Sequence, residues 1–269
     1  MADAARLSFR VAAMSAIQRL SDANEHRYAH PPAETCRAAI DRYFRGCDRH
    51  DSEVLRSTFH PTTVLRSVDS WDALERLTQI EWWAIVEAST SCAVRRRQRE
   101  LDRTHHLALV ETEALWPTHQ VNDLLLVARD WIGWTIVGCV SHRSPAGSRA
   151  RVDAEEVAAI REFLQEAYAS EHRAMLARYA PDCRFISTRP RELAVETLSE
   201  VAARRLRAAE DRPRSSPISI ELNVTLRETA AAAQISYFVD ERRCVDMVLL
   251  LKSHGTWRIV DVLANGVRS

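Results

Sequence analysis

The sequence lacks an excess of charge, a long apolar run and any paired-cysteine motif. Its 37 Lys and Arg residues balance its 37 Asp and Glu residues, so the formal net charge at pH 7 is zero. Proteins that bind nucleic acid or anionic membranes through electrostatics carry a basic surplus, which this chain does not have. Its apolar runs are far shorter than the roughly 20 residues of a transmembrane helix. We therefore expect neither nucleic acid nor a membrane as a partner.

The cysteines do not form a CxxC pair, and several stand inside apolar stretches like small core residues. There are six of them: Cys36, Cys47, Cys92, Cys139, Cys183 and Cys244. This usage is typical of free thiols in a reducing compartment, so the sequence predicts a cytoplasmic protein. The segment Thr104–His106 is the only candidate metal ligand set, and no carboxylate recurs at ligand spacing near it. With no phosphate loop, dinucleotide fingerprint or nucleophile elbow, we predict no metal and no cofactor.

What the chain does contain is an internal repeat. The segment "VDMVLLLKSHGTWRIVDVL" (Val245–Leu263) aligns without a gap on "NDLLLVARDWIGWTIVGCV" (Asn122–Val140), at an offset of 123 positions. Upstream, Ala38–Ser67 aligns on Ala158–Ser187 at an offset of 120. Two copies, each of about 115 residues, are too few and too long for a solenoid and indicate a duplicated domain.

The predicted domain organisation follows from this repeat and from a Pro- and Gly-containing linker. We expect an N-terminal helical extension over residues 1–32, a first domain over 33–143, a linker over 144–151 and a second domain over 152–269.

Each copy has the same predicted order of elements. An amphipathic helix and a short helix precede a strand, a third helix and three or four antiparallel strands. In the first copy the third helix is predicted over Trp71–Glu87, and in the second over Glu192–Ala209. This order predicts an α+β fold in which a curved antiparallel sheet wraps around helices.

Two stretches carry a resemblance to a known family. "YFRGCDRHDSEVLRSTFHPTTVL" and "NDLLLVARDWIGWTIV" resemble the NTF2-like superfamily, and within it the SnoaL-like and "putative lumazine-binding" branches. The resemblance covers nearly the whole chain and implies two cone-shaped cystatin-like α+β domains. Because such domains usually dimerise through their sheets, a tandem chain resembles a fused dimer, an intrachain pseudo-dimer. Further oligomerisation remains open.

The resemblance also implies a site for a small, largely apolar molecule. Steroid isomerases of this superfamily use a tyrosine of the first helix and a late-strand acid as an oxyanion hole. Tyr43 matches the tyrosine, Asp123 lies near the acid position, and Asp246 corresponds to Asp123 in the second copy. The alternative is that Tyr43 is a core aromatic residue and that Asp123 caps a hairpin.

The catalytic base of those isomerases has no counterpart. The slot on the first strand holds Ser67, and a serine without a partner base is a poor proton acceptor at neutral pH. His60 or His119 is the candidate replacement, although a histidine before proline is often a structural residue at a helix end.

Four further residues are candidate substrate contacts: Trp82, Trp131, Arg66 and Tyr237. The functional hypothesis is a cofactor-independent SnoaL-like enzyme that acts on a small apolar metabolite by acid/base chemistry. It would be a cyclase, isomerase, dehydratase or epoxide hydrolase of secondary metabolism. The alternative hypothesis is a non-catalytic scaffold that binds a ligand or another protein.

Overall fold

The fold is described from a computed structural model. The structure describes residues 33–68, 74–89, 93, 95–129, 133–148, 153–169, 177–189, 192–203, 220–239 and 242–265. The predicted helix before residue 33 lies outside these residues.

In its described residues, the first domain has three helices and six strands. They are α1 (Cys36–Arg49), α2 (Ser52–Arg56), β1 (Val64–Val68), β2 (Leu74–Thr78), α3 (Gln79–Ala88), β3 (Arg95–Arg103), β4 (Leu107–Leu115), β5 (His119–Arg129) and β6 (Trp134–Pro145). Two side chains fix the helix starts. Thr35 accepts a hydrogen bond from the backbone of Ala38 at 3.1 Å, and Asp51 accepts one from Val54 at 3.0 Å.

The second domain repeats this order. It contains α4 (Ala154–Ala169), β7 (Tyr179–Arg189), β8 (Glu192–Thr197), β9 (Glu221–Arg227), β10 (Ala230–Val239), β11 (Arg242–Ser253) and β12 (Thr256–Asn265). Residues 198–203 are helical and correspond to the start of α3.

The two sheets have identical topology. Their strand orders are β2-β1-β6-β5-β4-β3 and β8-β7-β12-β11-β10-β9. Neighbouring strands are antiparallel, except that β1 pairs in parallel with β6 and β7 with β12. The predicted α+β class and the tandem duplication are thereby confirmed.

The duplication extends to an irregularity in the sheet. The ladder between β5 and β6 shifts register between Leu126 and Val127, and the ladder between β11 and β12 shifts between Leu249 and Leu250. These positions correspond at the offset of 123. Such bulges bend a strand and increase its twist, which helps the sheet curve around the helices.

The predicted third helices are wrong in their first part. Residues Leu74–Thr78 form a strand instead, and the helix begins at Gln79. The side chain of Thr78 accepts from the backbone of Glu81, whose carboxylate in turn accepts from the backbone of Thr78 at 2.8 Å. This reciprocal capping box marks the true start of the helix.

The second copy has the same error and the same cause. Glu192–Thr197 is a strand, and the helical residues begin at 198. The Glu200 carboxylate accepts from the backbone of Thr197 at 2.7 Å, and the backbone of Glu200 donates to the Thr197 hydroxyl at 3.3 Å.

Three apolar clusters organise the chain. One lies between helices and sheet in each domain, with Leu125 and Val127 in the first and Val248 and Leu250 in the second. The third draws residues from both sheets, including Leu126 of β5. Because alternate residues of a strand point to opposite faces, each sheet covers its own helices on one face and the other sheet on the other. The predicted intrachain pseudo-dimer is therefore confirmed.

Among the described residues, no helix is both long enough and apolar enough to cross a membrane.

Candidate functional site

The strongest polar cluster in the first domain centres on the carboxylate of Asp123. This residue precedes Leu125 and Val127 on β5 and points to the same, helix-covered face of the sheet. Tyr43, on the buried side of α1, donates its hydroxyl to Asp123 Oδ2 at 2.8 Å. Each residue is only 5% exposed. The two residues that the sequence pointed to therefore meet inside the domain, 80 positions apart in the chain.

Two more hydroxyl groups complete the surroundings of this carboxylate. Thr112 donates to Asp123 Oδ2 at 3.2 Å, and Ser141 donates to Oδ1 at 2.5 Å. Thr112 and Ser141 are the direct cross-strand neighbours of Asp123 on β4 and β6. The three side chains thus form a row across adjacent strands, and α1 supplies the tyrosine above it.

Aromatic rings surround the phenol of Tyr43. The ring of Phe59 meets it edge to face at 5.7 Å, and the ring of Trp82 lies 6.0 Å away. Trp82 also contacts Phe59, at 5.4 Å between ring centroids. The predicted substrate contact Trp82 of α3 therefore lies next to the Tyr43–Asp123 pair and forms an apolar wall with Phe59, which follows α2.

Burial controls the protonation of this region. Burial, and then the charge of Asp123, raise the pKa of Tyr43 well above its usual value. The phenol therefore stays protonated and acts as a hydrogen-bond donor. Burial also raises the pKa of the Cys47 thiol to about 12 and that of Cys139 well above its usual value. Neither thiol is a nucleophile at neutral pH, since the thiolate is the reactive form.

The second domain has a counterpart with different donors. Asp246, which is 1% exposed, accepts hydrogen bonds on Oδ2 from Tyr168 at 3.0 Å and from Tyr237 at 3.2 Å. Its cross-strand neighbours are Ile235 and Ala264, which lack hydroxyl groups. Two phenols thus replace the phenol and two aliphatic hydroxyls of the first domain.

Tyr168 was missed by sequence reasoning. The repeat alignment places Phe163, and not a tyrosine, opposite Tyr43 in the second copy. A signal was nevertheless present, because Tyr168 follows the fully buried Leu164 by one helical turn.

The two candidate bases lie elsewhere. The backbone of His60 donates to the carbonyl of Ile136, and its ring lies 2.8 Å from the hydroxyl of Thr62. Ile136 is five residues from Ser141 along β6, or roughly 16 Å at the rise of a strand. His60 and the Asp123 row therefore lie at separate places in the domain.

His119 is the first residue of β5, the strand that carries Asp123. It lies four positions before Asp123, roughly 13 Å along the strand. Its ring stacks on Trp116 at 4.9 Å, and its pKa is lowered by burial and by Arg143. The structure thus brings Tyr43 and Asp123 together without either histidine.

The remaining predicted contacts divide three ways. Tyr237 lies at the Asp246 cluster, while Trp131 lies outside the described residues. Arg66 lies on the opposite face of the sheet from the Asp123 cluster, and its role as a substrate contact stays a prediction. It follows Leu65, which packs against the helices, so its own side chain points to the other sheet, where it is fully buried. No group of three or more His, Cys, Asp or Glu side chains suited to a metal occurs in the described ranges.

Three of the solved structures to which the chain is similar are proteins of unknown function. An NTF2-like protein from Silicibacter pomeroyi is 17% identical over 40% of this chain and 91% of its own, with a TM-score of 0.36. One from Methylobacillus flagellatus is 19% identical over 44% of this chain and 98% of its own, with a TM-score of 0.38. A cystatin-like protein from Nostoc punctiforme is 12% identical over 43% and 93%, with a TM-score of 0.35.

No curated protein matches the sequence. The family described as "Putative lumazine-binding" matches it twice, over residues 32–142 and 152–263. These matches span most of the chain, so the protein belongs to that NTF2-like family as a tandem pair of its domains.

Proposed function

We propose that the protein binds a small, largely apolar molecule and that its first domain carries out cofactor-independent acid/base chemistry on it, in the manner of SnoaL-like enzymes. The reaction class is isomerisation, cyclisation, dehydration or epoxide opening. The observation that carries the proposal is the 2.8 Å hydrogen bond from Tyr43 to the buried Asp123. A buried acid and a phenol in contact beside aromatic side chains are the kind of polar groups that orient a ligand in an apolar site.

The chemistry follows from the hydrogen bonds. A ligand carbonyl or hydroxyl oxygen beside Tyr43 would draw the phenolic O–H away from Asp123. Tyr43 then stabilises negative charge that develops on the ligand oxygen. Asp123 loses one of its three donors and becomes a stronger base, since hydrogen bonds to a carboxylate favour its charged form. One movement of the phenol would thus activate both the acid and the base, without a histidine.

The second domain takes a related role in this proposal. Asp246 keeps two phenol donors on a single oxygen, so either Tyr168 or Tyr237 can turn towards a ligand while the other holds the carboxylate. Asp246 is the group that corresponds to Asp123, and the different donors suit the two domains to different ligands or to unequal activity.

One set of observations favours a non-catalytic binding protein or scaffold. His60 and His119 lie far from Asp123, and the Asp123 carboxylate already accepts three hydroxyl donors in the structure. Such a satisfied network can serve simply to hold α1 on the sheet. In that case a ligand would bind beside Trp82 without any proton transfer.

The family description supplies a concrete first probe. Lumazine is a planar bicyclic molecule with carbonyl and N–H groups, which match phenol donors and carboxylate acceptors.

A cytoplasmic location is also part of the proposal, supported by five described cysteines that are all free. The domain boundaries at 33–143 and 152–269 are proposed on the repeat.

Deuterium uptake separates catalysis from binding. The protein is incubated in D2O with enolisable carbonyl ligands, and incorporation at carbon is followed by mass spectrometry. The proposal expects uptake that Asp123→Asn and Tyr43→Phe abolish and that the exposed control Asp153→Asn leaves unchanged. Asp246→Asn is the matched variant in the second domain. Ligand binding with no uptake and no product, in the wild type and every variant, would establish the binding protein instead.

A further inference from the structure

A charged cluster is buried where the two sheets meet. Arg66 of β1 places Nη1 3.1 Å from both carboxylate oxygens of Asp261 on β12. Arg184 of β7 donates to the same carboxylate through Nε and Nη2, each at 2.8 Å. The side chains of Arg66 and Asp261 are 0% exposed and that of Arg184 is 9% exposed. We call these three residues the Arg66–Asp261–Arg184 cluster.

Each arginine also bonds to the main chain of the other domain. Arg66 donates to the carbonyl and the carboxylate of Asp182, at 3.0 and 3.1 Å. Arg184 donates to the carbonyl of Thr62 and, at 3.0 Å, to that of Val137. Thr62 and Asp182 are corresponding positions of the two copies. The interface is therefore nearly symmetric in its backbone contacts and asymmetric in its charged side chains.

The asymmetry is sharpest at the position of the carboxylate. Asp261 corresponds to Gly138 in the first copy, at the offset of 123. The two residues face each other, because a Cβ atom added at Gly138 would lie 3.0 Å from Asp261 Oδ2. It would also lie 3.2 Å from Leu126 and 3.3 Å from Leu249. The space between the two corresponding positions thus holds one carboxylate, supplied by the second domain.

We propose that the Arg66–Asp261–Arg184 cluster, together with Gly138, makes this sheet surface specific for an unlike partner, so that a first domain pairs only with a second domain. The surface of the first domain supplies the Arg66 guanidinium and, at Gly138, a position with no side chain. The surface of the second domain supplies the Asp261 carboxylate, which occupies the space beside Gly138. The inference does not depend on the proposed function.

Like pairs are excluded for two different reasons. Two first domains would bury two Arg66 side chains with no carboxylate at the position of Gly138, and an unpaired buried charge is strongly destabilising. Two second domains would bring two Asp261 carboxylates into a space that holds one. Their Arg184 side chains balance the charge but do not create room.

Exchange between cleaved chains tests the pairing directly. A specific protease site is inserted between Ser148 and Asp153 of the full chain, which is purified, folded and then cleaved. Unlabelled and 15N-labelled preparations are mixed in mild denaturant, returned to buffer and analysed by native mass spectrometry. We expect unlike pairs only, including pairs of mixed label that prove exchange. Like pairs in statistical proportions, or halves that separate, would overturn the proposal.

A double-mutant cycle on the intact chain tests the shared position. Asp261→Gly leaves two buried arginines without their carboxylate and should lower the melting temperature by roughly 6–20 °C. Gly138→Asp crowds the same space and should also lower it. The double variant restores one carboxylate from the opposite side and should recover most of the loss. Losses that simply add would contradict a single shared position. Asp153→Asn, an exposed position outside the cluster, is the control and should leave the melting temperature unchanged.

Discussion

The hydroxyl of Tyr43 offers a sharp test of the Asp123 cluster through stability. Tyr43→Phe removes one oxygen atom and leaves the ring among Phe59 and Trp82. The lost bond joins a buried phenol to a buried carboxylate at 2.8 Å. Hydrogen bonds to charged groups contribute about 1.5–3 kcal/mol. In a protein of about this length, such a loss corresponds to a fall of roughly 3–12 °C in the melting temperature.

The second domain provides the matched comparison. Asp246 accepts two phenols on the same oxygen, so Tyr168→Phe or Tyr237→Phe alone leaves a donor in place. We expect each of these variants to cost less free energy of unfolding than Tyr43→Phe, and the pair together to cost more than the sum of the two. Urea unfolding followed by far-UV circular dichroism measures the wild type and the four variants. A Tyr43→Phe variant as stable as the wild type would refute the role given to this hydrogen bond.

Three further predictions concern the frame around the sites. Thr78→Ala and Thr197→Ala each remove a capping box and should lower the free energy of unfolding by about 1 kcal/mol in urea titrations; equal stability to the wild type would contradict the assigned helix starts. Gly46→Ala would place a Cβ 2.7 Å from the side chain of Leu55, so it should destabilise the contact of α1 with α2 by about 1–3 kcal/mol; a more stable variant would contradict this packing. Burial lowers the pKa of His142 in the folded protein below its unfolded value of about 6.5. The unfolded chain therefore binds a proton more readily, and the free energy of unfolding should fall as the pH drops from above 6.5 towards the lower pKa of the folded state. His142→Gln should flatten that part of a pH series of unfolding midpoints, and an unchanged slope would contradict it.

Much of the fold could be predicted because the sequence contains two copies of the same domain. The repeat predicted a duplicated domain, and matched apolar spacing in both copies predicted the main helices and the four long strands of each sheet. The short strands β2 and β8 were absorbed into the predicted helices, since their few residues carry no clear alternation. The capping boxes at Thr78 and Thr197 were the signal that separates strand from helix there.

The site was only partly predictable from the sequence. Tyr43 and Asp123 could be paired because a family motif places both in one pocket. Thr112 and Ser141 depend on strand register, which the sequence does not give without the turns and bulges in between. Arg66 illustrates the same limit, because a shift of one residue along a strand exchanges the ligand face for the face of the other sheet.

The pairing of unlike domains has a consequence for function. A chain that always unites one first and one second domain keeps one Asp123 cluster and one Asp246 cluster in every molecule. The two clusters can then diverge in their donors, as the hydroxyls around Asp123 and the phenols around Asp246 have done. A symmetric dimer of identical domains could not hold two different sites in this way.

Native mass spectrometry of the purified protein, with small molecules then released and identified, tests the central claim most directly. The account predicts a small, largely apolar molecule with a carbonyl or hydroxyl oxygen, bound by the wild type and weakened by Tyr43→Phe and Asp123→Asn. The exposed control Asp153→Asn should bind as the wild type does. A wild type that carries no molecule, and that neither lumazine nor a panel of apolar carbonyl compounds stabilises against heat, would contradict a ligand site at Asp123. The cluster would then be a structural brace between α1 and the sheet.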